Sequence, residues 1–365
     1  MAHLRGLELP TLAVLVWAYL PNYVCAVLAV VPSQIITRLG RQVSRARELG
    51  SYRLADRIGS GGMGEVWRAD HRLLARPAAI KLIRPSGAVV GEAAGMAVAR
   101  FKREAQSAAS LRSPHTIQLY DFGVTRDGRF YLVMELLEGI DLEALVRRYG
   151  PQPPARVVRL LCQACHSLAE AHASGLVHRD IKPANLYLSR LGLEYDFLKV
   201  LDFGLAKRDQ RTASAQTLLT APEATTGTPA YMPPEMTSGD AIDRRVDIYA
   251  LGCVGYFLLT GKLVFEGETA LQMILQHIQK EPVKPSVRSG LKIPDRLDDV
   301  ILRCLAKDPS DRPFGAGELA RELSAIGLIE GWTDEDAQRW WDKHLATVFP
   351  APPSTEPTVA LDVAY

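Results

Sequence analysis

The most restrictive feature of the chain is a glycine cluster, Gly59-Ser60-Gly61-Gly62-Met63-Gly64, set between two stretches that alternate like strands. The spacing satisfies G-x-G-x-x-G, which two unrelated phosphate-binding arrangements share. A dinucleotide site needs a helix directly after the glycines, so that its N-terminus faces the pyrophosphate. Here Glu65-Val66-Trp67-Arg68 follows, and it alternates instead. The cluster therefore reads as a hairpin flap, in which glycine lets backbone approach oxygen atoms closely.

The patterns around the flap divide the chain. Tyr52–Ile58, Glu65–Ala69, Ala78–Ile83, Ile117–Val124 and Phe130–Met134 read as short strands, with a helical rhythm between them at Val98, Phe101, Ala105, Ala108 and Leu111. After Glu138 the periodicity turns helical, near 141–149, 154–173, 244–260, 268–279, 296–305 and 315–325. Thr333–Phe349 predicts one more helix, bearing Trp340 and Trp341, for which packing on the fold is the favoured role. Pro350–Pro357 then gives a flexible, proline-rich tail.

Three further segments carry chemistry. Lys81 stands in the apolar strand Ala78-Ala79-Ile80-Lys81-Leu82-Ile83, where an ammonium group needs a partner. From Ala93 to Tyr120 the one acidic residue is Glu104, on the predicted helix. His178-Arg179-Asp180-Ile181-Lys182-Pro183-Ala184-Asn185 precedes Asp202-Phe203-Gly204, and Leu186–Leu188 can pair with Leu198–Leu201 to bring Asn185 and Asp202 together. Two oxygen-bearing side chains there suit Mg²⁺, which shares phosphate oxygens with a few protein ligands. Asp180 is placed to accept a hydroxyl proton and Lys182 to offset phosphoryl charge. Taken singly, each of these residues would be ordinary.

Their order is not ordinary. Glycine loop, strand lysine, helix glutamate, H-R-D-x-K-x-x-N and D-F-G, over roughly Tyr52–Leu323, resemble the eukaryotic-like (Hanks-type) protein kinases. Lys182 and Gly227-Thr228-Pro229-Ala230-Tyr231-Met232 are similar to the serine/threonine branch, and the glycine-loop phrasing is similar to bacterial members. The resemblance implies an α+β, two-lobed protein kinase fold, with a small antiparallel-sheet N-lobe containing one key helix over 52–136 and a larger helical C-lobe over 137–326. Around these it leaves a hydrophobic segment over 1–33, a basic juxtamembrane linker over 34–51, a helical extension over 327–349 and the tail over 350–365.

By the same resemblance, Gly59, Ser60, Gly61, Gly62 and Gly64 would cover the phosphates of ATP. Ile58, Val66 and Ala79 would flank the adenine, Met134 would guard the back of its pocket, and Glu135 and Leu137 would belong to the hinge. Lys81 would hold the α- and β-phosphates and pair with Glu104, Asp180 would be the catalytic base, and Asn185 and Asp202 would hold Mg²⁺ or Mn²⁺. Thr228 would brace Asp180 and Lys182, Asp247 would support the catalytic loop, and Glu235 with Arg312 would close the large lobe. Pro233-Pro234-Glu235 replaces A-P-E and Ala78-Ala79-Ile80-Lys81 replaces V-A-I-K, both keeping the charged residue. The implied partners are protein substrates with Ser or Thr, and a second copy for trans-autophosphorylation. Arg179, beside Asp180, is a ready contact for a phosphorylated loop residue, with Thr225 or Thr226 the expected site. A pseudokinase is disfavoured because Lys81, Asp180 and Asp202 are all present.

Thr11–Val31 contains no charged residue, and as a helix rising ~1.5 Å per residue it would span about 30 Å, a hydrocarbon thickness. Arg38, Arg41, Arg45 and Arg47 follow it, so a spanning segment would leave the remainder in the cytoplasm, anchored to the inner face of the plasma membrane. A hairpin bent at Pro21 is the competing reading. Formal charges nearly cancel, 43 basic against 41 acidic residues, so no global field favours nucleic acid. Five scattered cysteines fit a reducing compartment, and Cys162-x-x-Cys165 lies on an apolar helix, as packing residues would.

Overall fold

The computed structural model describes residues 48–49, 51–61, 64–74, 76–83, 92–125, 128–203, 229–238, 242–328 and 331–348. The predicted membrane segment Thr11–Val31, Gly62, Thr228 and the loop threonines Thr225 and Thr226 lie outside these residues. Among the described residues no helix is long and apolar enough to cross a membrane.

Two compact units form, one comprising Met1–Ile58 with Trp67–Ala78, the other Gly59–Val66 with Ala79–Tyr365. In the first, β1 (Glu48–Leu49) pairs antiparallel with the start of β2 (Tyr52–Gly61), Leu49 opposite Tyr52. The second strand of the glycine hairpin, β3, spans Gly64–His71. Alternation buries Tyr52 and Leu54, and the Tyr52 ring meets His71 edge-on at 4.9 Å. The ring of His71 in turn accepts the amides of Leu73 and Leu74, closing the turn after β3.

The second unit begins its sheet with the Ala79–Ile83 part of β4 (Pro77–Ile83), followed by α1 (Glu92–Ala109) and the antiparallel pair β5 (Leu119–Val124) and β6 (Phe130–Glu135). Across this sheet β4, β6 and β5 are successive neighbours. Phe101 and Ala105 of α1 pack on Ile83 and Leu132, and Phe101 stacks on Phe130 at 4.4 Å. The helix starts at Glu92, six residues before Val98, where its apolar rhythm begins, because the alanines there favour a helix while offering little amphipathic contrast.

The helical part follows, with β7 (Gly139–Asp141), α2 (Leu142–Tyr149) and α3 (Pro154–Ala173). Asp141 caps α2 by accepting the Ala144 amide at 2.8 Å, and Pro154 opens α3, where no amide partner is needed. The predicted stripe of α3 is buried throughout: Val157, Leu160, Leu161, Ala164, Leu168 and Ala171. Cys162 and Cys165 lie on the same helix, buried, with their thiols pushed up by that burial, which suits packing rather than thiolate chemistry. A three-stranded sheet joins β7 to the hairpin β8 (Leu186–Leu191) and β9 (Glu194–Val200), with Leu186 opposite Val200 and Leu188 opposite Leu198, as the sequence anticipates.

The remaining helices are α4 (Glu235–Ser238), α5 (Arg245–Thr260), α6 (Ala270–Gln279), α7 (Pro285–Ser289), α8 (Asp295–Cys304), α9 (Ala316–Ser324) and α10 (Asp334–Val348). Nearly every side chain of α5 is buried. Its glycines let α8 come close, since a Cβ on Gly255 would lie 2.6 Å from Ile301. Glu235 and Arg312 make a buried fork at 2.6 and 2.9 Å, and Arg312 also donates to the carbonyls of Ala306 and Lys307. Arg312→Leu would strand the Glu235 carboxylate in the core and should lower unfolding free energy by about 3–5 kcal/mol, read from urea midpoints.

Candidate active site

The glycine hairpin is shaped by one residue above all. Gly64 has φ +143°, and a Cβ there would lie 1.9 Å from the Leu82 carbonyl oxygen, so any side chain would collide with β4. Ser60 and Gly61 are exposed at the tip, while Gly59 and Val66 are half-buried. Ile58, in the first unit, is 53% exposed. In the second unit Ala79, Ile117 and Met134 form a small buried cluster, against which Val66, Leu136, Leu137 and Leu201 pack. Met134 also lines a small cavity, together with Thr116, Ile117, Leu132, Asp202 and Phe203.

Lys81 projects from β4 and donates to Oδ2 of Asp202 at 2.5 Å. Asp202 keeps 29% exposure and adopts φ +57°. Glu104 is half-buried on α1. Glu135, at the end of β6, turns its carboxylate away: it accepts the Gln118 amide and pairs with the buried Lys199 of β9, both at 2.8 Å.

The loop from His178 to Asn185 is irregular backbone, so its polar groups need partners from elsewhere. Asp247, in the first turn of α5 and wholly buried, supplies them. Its carboxylate accepts the amides of His178 at 2.8 Å and Arg179 at 2.7 Å, plus Nε2 of His172 at 2.9 Å. Arg179 takes φ +64°. Nδ1 of His178 accepts the Asp180 amide at 3.2 Å, so Nε2–H is left to donate to the Leu201 carbonyl at 2.7 Å. One imidazole thus joins the loop to the residue preceding Asp202.

Asn185 ends a short turn begun by Pro183 and donates through Nδ2 to the Asp180 carbonyl and carboxylate, at 2.7 and 3.1 Å. Lys182 reaches the same carboxylate at 3.1 Å. The Leu201 amide donates to the Asn185 carbonyl at 2.9 Å. With its nitrogen committed, Asn185 offers Oδ1, one backbone hydrogen bond from the residue before Asp202. A neutral carbonyl oxygen and a part-exposed carboxylate suit a small divalent cation that also takes phosphate oxygens. Within one unit, then, Lys81 meets Asp202 while Lys182 and Asn185 meet Asp180, and the Asn185 carbonyl is bonded to the residue before Asp202. His172 and the Lys199–Glu135 pair are contributors that sequence reasoning missed, since no motif contains them.

Chain comparisons agree with this geometry. A family model described as the protein kinase domain matches residues 52–322. Serine/threonine-protein kinase pkn3 of Myxococcus xanthus is 39% identical over 276 residues, 75% of this chain and 50% of the relative. Serine/threonine-protein kinase PknB of Mycolicibacterium smegmatis is 36% identical over 306 residues, 83% of this chain and 47% of the relative. The chain thus spans about half the length of the curated relatives it matches. A crystal structure of Rad53 1-466 in complex with AMP-PNP superposes with a TM-score of 0.61 at 24% identity, covering 76% of this chain and 65% of that one, a likeness of fold.

Asp247→Asn would replace an acceptor of two adjacent amides by a group half of which is a donor. Amide exchange at His178 and Arg179 should quicken about tenfold or more, measured by hydrogen–deuterium exchange, while β5 and β6 keep their protection.

Proposed function

Because the chain belongs to the protein kinase family, we propose that it transfers the γ-phosphoryl group of ATP to serine and threonine hydroxyls of protein substrates. The observation that carries this reading is the linked set in which Lys81 meets Asp202 while Asn185 and Lys182 meet Asp180. The names of the bacterial relatives, all serine/threonine kinases, and a solved fold neighbour in complex with AMP-PNP support it.

On this reading residues 52–136 are the N-lobe and 137–326 the C-lobe, with ATP taken by the glycine hairpin and the apolar cluster around Ala79 and Met134. Glu104 would share Lys81 with the nucleotide phosphates. Asn185 Oδ1 and the Asp202 carboxylate would hold Mg²⁺ or Mn²⁺, whose chemistry is to neutralise phosphate charge. The substrate hydroxyl gives its proton to Asp180 as its oxygen bonds to the γ-phosphorus. The bond from that phosphorus to the β-bridging oxygen breaks, and ADP leaves. Lys182, already 3.1 Å from the Asp180 carboxylate, balances charge on the moving group, and Thr228 would brace both. Arg179 would receive a phosphate on Thr225 or Thr226, added by a second copy of the chain.

The uncharged run Thr11–Val31, with its arginines behind it, supports attachment to the inner face of the membrane. Deletion of residues 1–33 should move the protein from the membrane pellet to the soluble fraction on ultracentrifugation. An unchanged distribution would argue for the hairpin.

Radiolabelled ATP and a generic basic protein test the activity. Asp180→Asn should fold, by circular dichroism, and transfer label about 10²–10⁴-fold more slowly. Lys81→Met should lose about 10²–10³-fold. Wild-type rates in either variant would remove that residue from its role.

A further inference from the structure

The family match ends at residue 322, yet the chain beyond it returns to the interior. Asp196, near the start of β9, is fully buried and accepts four hydrogen bonds on its two carboxylate oxygens. Arg156 of α3 supplies two, Nε to Oδ2 at 2.8 Å and Nη2 to Oδ1 at 2.7 Å. The other two come from indoles past the family span, Trp332 Nε1 to Oδ2 and Trp341 Nε1 to Oδ1, both at 2.8 Å. Trp332 and Trp340 cover the Arg156 guanidinium, with centroids 4.9 and 4.2 Å from Cζ. Arg159, one turn along α3, binds the Trp332 carbonyl at 3.3 Å and Asp334 at 2.5 Å.

A carboxylate has about four acceptor sites, and a planar guanidinium fills two of them. Fully buried, Asp196 needs two more donors, and the residues matched by the protein kinase family supply neither of those it uses. The location matters because Asp196 has φ +53° and begins the run that ends at Asp202. Gln163 fixes the same stretch on the other side, accepting the Leu198 amide and donating to the Asp196 carbonyl. Between Asp196 and Asp202 the strand pairs with β8, and Lys199 reaches Glu135.

We propose that the segment Gly331–His344 is a positioning element for Asp202, acting through the indole N–H groups of Trp332 and Trp341 on Asp196 and from there along β9. The proposal takes Asp202 as the metal-binding carboxylate, and so rests on the function proposed above.

The test uses the full chain carrying Trp332→Phe with Trp341→Phe, which keeps aromatic bulk and removes both N–H donors. Trp340→Phe is the control, because Trp340 stacks on Arg156 and has no hydrogen bond to Asp196. Two quantities are measured: hydrogen–deuterium exchange of peptides spanning 196–203, and, by calorimetry, the Mg²⁺ concentration at half-maximal binding of a non-hydrolysable ATP analogue. The double variant should exchange faster at 196–203 and need about threefold to thirtyfold more Mg²⁺, with metal-free analogue binding and the Trp340→Phe control unchanged. An unaltered Mg²⁺ requirement beside a normally binding wild type overturns the proposal. So does faster exchange spread evenly over α3, α5 and β9, which marks general loosening. If the wild type itself shows no Mg²⁺-dependent binding, the reading of Asp202 fails instead, and unchanged exchange at 196–203 then overturns the coupling. Should the double variant not fold, Trp332→Phe alone, at a half-buried position, gives the same readings.

Discussion

The shape of the His178–Asn185 loop depends on one buried carboxylate. Asp247 is buried in the first turn of α5 and spends both oxygens on His172 and on the consecutive amides of His178 and Arg179. A loop of irregular backbone holds no shape of its own, because its amides have no ladder or helix to bond. Anchoring two successive amides to one rigid helix fixes both the position and the direction of the peptide that follows. Asp180 follows next, and its surroundings are then set by short local bonds from His178, Lys182 and Asn185. The α5 helix can serve as that reference because it is apolar nearly all round and packed on every side.

A second organising element is β9. Its carbonyl and amide at Val200 bond the backbone of Ile117 and His115, and Thr116 meets Ser167 of α3 at 2.7 Å. The same segment is held from α3 by Glu170, whose carboxylate accepts the amides of Arg112 at 2.8 Å and Ser113 at 2.6 Å. Lys199 binds Glu135 at the end of β6. The strand therefore touches the sheet that carries Lys81, the helix that carries His172 and the loop that carries Asn185. Asp202 lies two residues beyond its end, so every one of these contacts bears on where that carboxylate sits.

What could be read in the sequence follows from what chemistry leaves no choice about. Lys81, Asp180, Asn185 and Asp202 are legible because the protein kinase motifs carry those residue types in that order, and Gly64, where no Cβ fits, because it completes the glycine spacing. The strands and helices with strong period were legible to within a few residues, whereas the first turns of α1, an Ala and Gly run, were not. Asp196 was invisible. Its partners come from positions 156, 332 and 341, each an ordinary residue type in its own segment, and no spacing rule links them. Trp340 and Trp341 could be assigned to packing, but not to the carboxylate that Trp341 satisfies. His172 escaped for the same reason, since a histidine in the last turn of an apolar helix has the pattern of a simple helix end.

One backbone property connects these sites. Among the described residues three that are not glycine have left-handed φ: Arg179 at +64°, Asp196 at +53° and Asp202 at +57°. That conformation costs about 1–2 kcal/mol per residue, somewhat less for aspartate. Each of the three is held by hydrogen bonds to a charged group, worth about 1.5–3 kcal/mol apiece: Arg179 through its amide to Asp247, Asp202 through its carboxylate to Lys81, Asp196 through four donors. Two of them belong to the segments that carry Asp180 and Asp202. Asp196 does not, and it has the most donors. A twisted backbone held that firmly is explained by what it leads to: a strand whose starting direction is fixed delivers Asp202 to one place.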